Sequence, residues 1–100
     1  MFLVGTTYMP PSIVRKVVKR FIEASKSPSP PFLKRVNTLV SVAGKQWFKV
    51  ITVYEVADEK TSDGIKEIMK YESQFTDIEG YKYQLEVMMT PEEAIPLIPT

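Results

Sequence analysis

Residues 45–57 (KQWFKVITVYEVA) constrain the fold more than any other part of this chain. β-Branched and aromatic residues dominate the segment, and neither glycine nor proline interrupts it, which is typical of a β-strand. Successive side chains of a strand point to opposite faces of the sheet. Apolar residues occupy both faces here: Phe48, Val50, Tyr54 and Val56 on one, and Trp47, Ile51 and Val53 on the other. A strand with one solvated face would alternate more strictly. The pattern therefore predicts an interior strand, covered by helices on one face and by a second copy of the chain on the other.

Length and composition favour a single domain spanning residues 1–100. The 13 basic and 12 acidic residues nearly balance, which does not favour binding to nucleic acid or to an anionic membrane. The chain contains no cysteine and no histidine, so thiol chemistry, a histidine base and Cys/His zinc sites are excluded. No apolar segment approaches the ~20 residues that span a bilayer. The N-terminus also lacks the basic region of a signal peptide. We therefore expect a cytoplasmic protein.

Hydrophobic periodicity predicts the element order βαββαβ. The predicted strands cover residues 2–9, 35–42, 45–57 and 81–89, and the predicted helices cover residues 12–26 and 61–75. Gly5 indicates a close approach to the first strand. The apolar stripe expected on the second helix consists of Ile65, Ile68, Met69 and Phe75. Thr90-Pro91-Glu92-Glu93 predicts a capped short helix before an apolar tail.

A hairpin is predicted between the second and third strands. Residues 42–44 (VAG) suit a three-residue turn with glycine in the left-handed conformation. That turn would pair Ser41 with Lys45, Leu39 with Trp47, Asn37 with Lys49 and Val36 with Val50. The even-numbered residues of both strands would then share one face, and the odd-numbered residues, including Arg35, would share the other.

With right-handed crossovers, these elements predict an α+β, ferredoxin-like fold: a four-stranded antiparallel sheet with two helices on one face. In this order and length the chain resembles the dimeric α+β barrel superfamily, whose small ferredoxin-like members pair their sheets in a homodimer. The resemblance covers the whole chain and rests on element order, on the two-sided strand 45–57 and on the apolar tail. No residue motif carries it. It implies a homodimer, and it places the chain with superfamily members that are stress-induced or of unknown activity.

The sheet face turned away from the helices is the predicted functional surface. Its expected residues are Arg35, Asn37, Leu39, Trp47, Lys49, Ile51, Val53, Lys82, Gln84 and Glu86. An apolar centre with a charged rim suits a subunit interface, with Trp47 as an anchor. It equally suits a pocket between two sheets for a small acidic or aromatic ligand.

Two other classes of function remain open. Some superfamily members are cofactor-independent monooxygenases or haem degraders that use Asn, Trp and His. Such an oxygenase or isomerase would here use Asn37, Trp47 and tyrosines, without a histidine. The basic face of the first helix and the segment KQWFKVIT are a weaker match to an RNA-recognition domain, because both small residues of that signature and its later aromatic residues are missing.

The remaining carboxylates do not predict a catalytic or metal site. Glu55, Glu86, Glu92 and Glu93 form no evident acid–base pair, and Asp58, Glu59 and Asp63 lack the spacing of a calcium loop. We therefore expect no catalytic residue, metal or cofactor. The expected protein is a homodimer. Its facing sheets form either an interface alone, which the pattern favours, or an interface that also encloses a small-molecule ligand. A membrane partner is not expected, and a nucleic-acid partner is not favoured.

Overall fold

A computed structural model describes residues 1–41 and 47–99 and shows an α+β domain with four antiparallel strands in one sheet. The strands are β1 (Phe2–Met9), β2 (Lys34–Ser41), β3 (Phe48–Glu55) and β4 (Lys82–Met88). The helices are α1 (Val14–Ala24), α2 (Thr61–Glu72) and α3 (Pro91–Ala94). Helix α1 connects β1 to β2, α2 connects β3 to β4, and the strand order is β2-β3-β1-β4. The predicted α+β class and the single antiparallel sheet are confirmed.

The hydrophobic core lies between one face of the sheet and helices α1 and α2. One cluster contains Leu3, Leu33, Val56 and Ile68. A second cluster contains Met9, Val17, Phe75 and Ile78. Strand β3 pairs with β1 on one side and with β2 on the other, so the prediction of an interior strand is confirmed. No helix in the described ranges is long and apolar enough to cross a membrane.

The predicted register of the β2–β3 hairpin is wrong. Leu39 pairs with Ile51 rather than Trp47, and Ser41 pairs with Lys49 rather than Lys45. The turn predicted at residues 42–44 lies outside the described residues. The partners of Asn37, Leu39 and Ser41 are each displaced by four residues, an even number, which leaves these side chains on their predicted face. Hydrophobic alternation therefore cannot distinguish the two registers, and only the turn assignment had selected one of them.

The predicted position of Arg35 is wrong, because β2 contains a β-bulge near its start. Arg35 pairs with Tyr54 while Asn37 pairs with Val53, so Val36 is an extra residue on β2. The extra residue reverses the alternation before it. Arg35 consequently lies on the helix side of the sheet, and Lys34 lies on the other side, opposite Glu55.

The apolar stripe of α2 differs from the prediction at one position. Ile68 is 2% exposed and Phe75, just beyond the helix, is also 2% exposed, as expected of core residues. Met69 is 48% exposed, and the inward position one turn after Ile68 belongs to Glu72. Residues 65, 68, 72 and 75 have the spacing of one helical face, because neighbours three or four apart lie on the same side of a helix.

The C-terminal segment is capped as predicted but remains uncovered. Thr90 and Glu93 form a capping box at the start of α3. Beyond this helix, Ile95, Leu97 and Ile98 are all more than half exposed, so within the described residues the tail does not pack on its own domain.

Candidate functional site

A cavity of about 470 Å³ separates the helices from the β2 side of the sheet. Its walls come from α1, α2, the helix side of β1, β2, β3 and β4, and the proline-containing loop after α1. The cavity exists because the helices pack on β1 and leave the helix side of β2 uncovered, so that Arg35, Thr38 and Val40 are exposed on that side. Val18 and Phe21 of α1 and Val40 of β2 give its mouth an apolar lining. The volume falls within the range of small-molecule pockets, roughly 300–1,000 Å³.

The inner end of the cavity carries a buried carboxyl group. Glu72 of α2 is 9% exposed, and its Oε1 accepts a short hydrogen bond from the hydroxyl of Tyr81. Thr7 of β1 extends the contact, since its Oγ1 lies 3.5 Å from the same hydroxyl. Within residues 1–41 and 47–99, Glu72 Oε2 makes no hydrogen bond. Burial raises the pKa of Glu72 from 4.5 to about 7, because the hydrogen bond from Tyr81 offsets only part of the effect of burial.

Three further tyrosines lie around this carboxyl group. We refer to Glu72 with Tyr54, Tyr71, Tyr81 and Tyr83 as the Glu72–tyrosine cluster, and all five residues line the cavity. Burial raises the pKa of Tyr71 to about 12, and burial together with the negative charge of Glu72 raises the pKa of Tyr83. The phenols therefore remain protonated near neutral pH and can donate hydrogen bonds. The Tyr71 hydroxyl is buried without a partner among the described residues.

Gly5 explains how Tyr83 reaches the cluster. A Cβ atom at Gly5 would lie 2.8 Å from Cζ of Tyr83, closer than such contacts occur. The close approach predicted at Gly5 is thus confirmed, and the approaching group is a side chain of β4. Phe75 stacks on the ring of Tyr81, with ring centres 5.2 Å apart. This stacking helps to hold the Tyr81 hydroxyl in position to donate to Glu72.

The predicted functional surface is the face of the sheet without helices, which we call the open face. The register places nine of the ten predicted residues there: Asn37, Leu39, Trp47, Lys49, Ile51, Val53, Lys82, Gln84 and Glu86. Arg35 is the exception, because the bulge brings it to the cavity. Ile51 and Val53 of β3 lie centrally with Val4 of β1, which is 9% exposed. Leu39 lies beside Ile51 on the edge strand β2 and is 57% exposed.

Charges are segregated along the open face. Lys49 and Lys82 flank Tyr8 at one end of β1, and Lys49 Nζ lies 5.7 Å from the centre of the Tyr8 ring. Glu55 lies beside Phe2 at the other end, and Glu86 lies beside Val4. Lys34 lies next to Glu55 at the sheet edge and offsets part of this negative charge.

The Glu72–tyrosine cluster was not predicted from the sequence. The carboxylates that the sequence offered as acid–base candidates, at 55, 86, 92 and 93, do not line the cavity. A signal was present in the spacing of residues 65, 68, 72 and 75, which places a glutamate in an otherwise apolar stripe. A charged residue in such a stripe is rarely fully buried without a partner, and here Tyr81 provides one.

Comparison with known proteins assigns no family. No family model matches the chain, and no curated protein matches it. Among solved structures, the de novo designed protein Foldit4 is similar over 88% of this chain and 98% of its own, with 11% sequence identity and a TM-score of 0.48. A likeness this distant supports no functional assignment.

Proposed function

We propose that the chain forms a ferredoxin-like homodimer, as in the dimeric α+β barrel superfamily, and that each subunit binds a small, mainly apolar molecule in the cavity. The cavity ending at the Glu72–tyrosine cluster carries this proposal. It lies on the opposite side of the sheet from the inter-sheet space, which the sequence pattern offered as one candidate for a ligand pocket.

The lining defines the chemistry of the ligand. Apolar side chains at the mouth, including Val18 and Phe21, favour a hydrocarbon or aromatic ring system. The inner end offers hydroxyl donors and the unpaired Oε2 of Glu72. A molecule with one or two rings and a single hydroxyl or carbonyl group matches both ends, since buried polar groups need partners.

Charge complementarity on the open face supports the dimer. A two-fold axis lying between two such sheets, and running across their strands, reverses the strand direction of one sheet relative to the other. Lys49 of one subunit then lies opposite the Glu55 end of the second subunit, and the apolar residues meet at the centre. In the strand order β2-β3-β1-β4 both long helices pack on one face, and the open face is turned away from them, as such pairing requires.

The uncovered tail supports a second copy as well. Ile95, Leu97 and Ile98 are 64%, 69% and 61% exposed. A patch of large apolar side chains on one segment favours an interaction surface. Burial of this segment against another subunit would remove that apolar area from water.

Ligand binding can be tested with 2-naphthol, a bicyclic molecule with one hydroxyl, by following the methyl NMR signals of the cavity residues. Val18→Trp fills the mouth of the cavity and should weaken binding at least tenfold. Ile22→Trp is the matched control, because Ile22 is similarly exposed on α1 but does not line the cavity. Equal binding by both variants, or no shift of the cavity methyl groups in the wild type, contradicts the proposal.

The dimer can be tested by sedimentation equilibrium with a second matched pair. Leu39→Glu places a charge in the open face, and Ile22→Glu places one at a position of nearly equal exposure, 56% against 57%, on α1. We expect a dimer for the wild type and Ile22→Glu, and a folded monomer for Leu39→Glu. A monomeric wild type, or a Leu39→Glu dimer of unchanged affinity, contradicts the proposed assembly.

A further inference from the structure

We propose that Glu72 is a general base that removes a proton from the carbon next to the carbonyl group of a small ketone, while tyrosine hydroxyls stabilise the resulting enolate. This inference rests on the proposed ligand site. It assigns to that site a proton transfer that needs no cofactor. The oxygenase or isomerase considered from the sequence would use Asn37 and Trp47, whereas the reaction proposed here uses residues that line the cavity.

The geometry of the carboxyl group supports this role. Tyr81 donates its hydroxyl to Oε1 and thereby holds the carboxyl group in one orientation. Oε2 makes no hydrogen bond with the described part of the chain, so it is available as an acceptor. Burial destabilises the carboxylate form, and a base whose pKa lies near neutrality abstracts protons more effectively than one at its ordinary value.

The neighbouring hydroxyls supply the electrophilic side of the reaction. Tyr54 and Tyr83 line the cavity, and neither hydroxyl makes a hydrogen bond within the described residues. Burial is the main cause of the raised pKa of both phenols, and the charge of Glu72 adds to it, as expected for groups that lie within electrostatic range of the carboxyl group. A neutral phenol aimed at a carbonyl oxygen stabilises the negative charge that develops there.

The reaction balances without any co-reactant. The C–H bond breaks, its proton moves to Oε2 of Glu72, and its electron pair forms the carbon–carbon double bond of the enolate. The negative charge rests on the carbonyl oxygen and is stabilised by the tyrosine hydroxyls. The carboxyl proton of Glu72 then exchanges with solvent, and delivery of the solvent-derived proton to the same carbon gives hydrogen exchange. In a β,γ-unsaturated ketone, return to the γ-carbon gives the conjugated isomer.

The ionisable groups that line the cavity with the base come from the sheet and from α2 itself. Tyr81 lies just before β4, Tyr83 lies within it, and Tyr54 comes from β3. Helix α2 contributes Tyr71, Glu67 and Lys70. Arg35 of β2 also lines the cavity, and its positive charge offsets part of the rise that burial causes in the pKa of Tyr54 and Tyr71. Burial raises the pKa of each of the four phenols, so they keep their protons across the neutral range and a rate change there reports Glu72. The rate should rise with pH, with an apparent pKa near 7.

The test uses 2-tetralone, with binding followed by methyl NMR and exchange of its α-protons followed by proton NMR in D₂O. We expect exchange above the buffer rate, a loss of about 100-fold in that acceleration for Glu72→Gln, and a loss of about tenfold or more for Tyr83→Phe. Glu79→Gln, at an exposed position away from the cavity, is the control and should match the wild type.

The outcomes separate this inference from the proposed function. Binding retained by Glu72→Gln together with lost exchange supports the base. Binding without acceleration in the wild type, acceleration that persists in Glu72→Gln, or a rate independent of pH between 5 and 9 overturns the base and leaves ligand binding intact. Absence of binding overturns the proposed function and this inference with it. If Glu72→Gln does not fold, the pH profile of the wild type decides.

Discussion

Glu72 holds a carboxyl group where the helix pattern calls for an apolar side chain. Its neighbours on the same face, Ile68 and Phe75, are core residues. Removing an ionised carboxylate from water is unfavourable, so the folded protein favours the protonated form. The hydrogen bond from Tyr81 offsets only part of this cost.

Stability should therefore depend on the protonation of Glu72. The pKa in the folded protein, about 7, lies above the ordinary value of 4.5. Between these values the folded state binds a proton that the unfolded state releases, so this contribution is complete below pH 4.5 and is lost as pH rises through 7. The loss is about 3 kcal/mol. The difference in unfolding free energy between wild type and Glu72→Gln, measured by urea denaturation from pH 4 to 8, should change by that amount in favour of the variant as pH rises.

Glu79→Gln serves as the control for this measurement, because Glu79 is exposed on the turn before β4. Its stability difference from the wild type should stay nearly constant over the same pH range. A constant difference for Glu72→Gln as well would show that the carboxyl group is not destabilised by burial.

At the scale of elements, helix α2 does not bury all the side chains that hydropathy predicts, since Met69 is exposed and Glu72 is buried. Ile68 is almost fully buried, and the adjacent Met69 is about half exposed. Ile68→Ala should lower the unfolding free energy by about 2–5 kcal/mol because it leaves a cavity in the core. Met69→Ala should change it by only about 0.5 kcal/mol. Chemical denaturation of the two variants checks this, and similar losses would mean that the helix is rotated relative to the described structure.

Sequence alone predicted most of the element positions, because alternation in strands and the 3.6-residue helical period depend on local sequence. It could not predict the pairing of Leu39 with Ile51, since an even shift of register preserves every face. Neither could it locate the bulge at Val36, which depends on pairing with β3. The cavity escaped prediction for a similar reason: it depends on where α1 and α2 settle across the sheet, and no local pattern encodes that position.

At the scale of the whole molecule, the open face has the chemistry of a surface that meets its own copy. Its centre is apolar, and its two ends carry opposite charge. Solvent-exposed charges of this kind contribute modestly to affinity and more strongly to orientation. The proposed two-fold arrangement therefore makes a specific electrostatic prediction.

Reversing one charge of the proposed Lys49–Glu55 pairs should weaken the dimer, and reversing both should restore it. Lys49→Glu and Glu55→Lys should each weaken the dimer, because each places like charges opposite one another. The double variant should recover much of the affinity. Dissociation constants from sedimentation equilibrium at low salt measure the effect, and added salt should reduce it. Additive losses in the double variant would contradict the antiparallel stacking of the sheets.

The bulge in β2 has a consequence for how such a surface could diversify. One additional residue at Val36 exchanges the sides on which Lys34 and Arg35 appear, so a guanidinium borders the cavity and an ammonium borders the opposite surface. Loss of the single codon for Val36 would therefore alter the electrostatics of two separate surfaces at once. If the proposed ligand site and dimer hold, such a deletion would change ligand preference and self-association together.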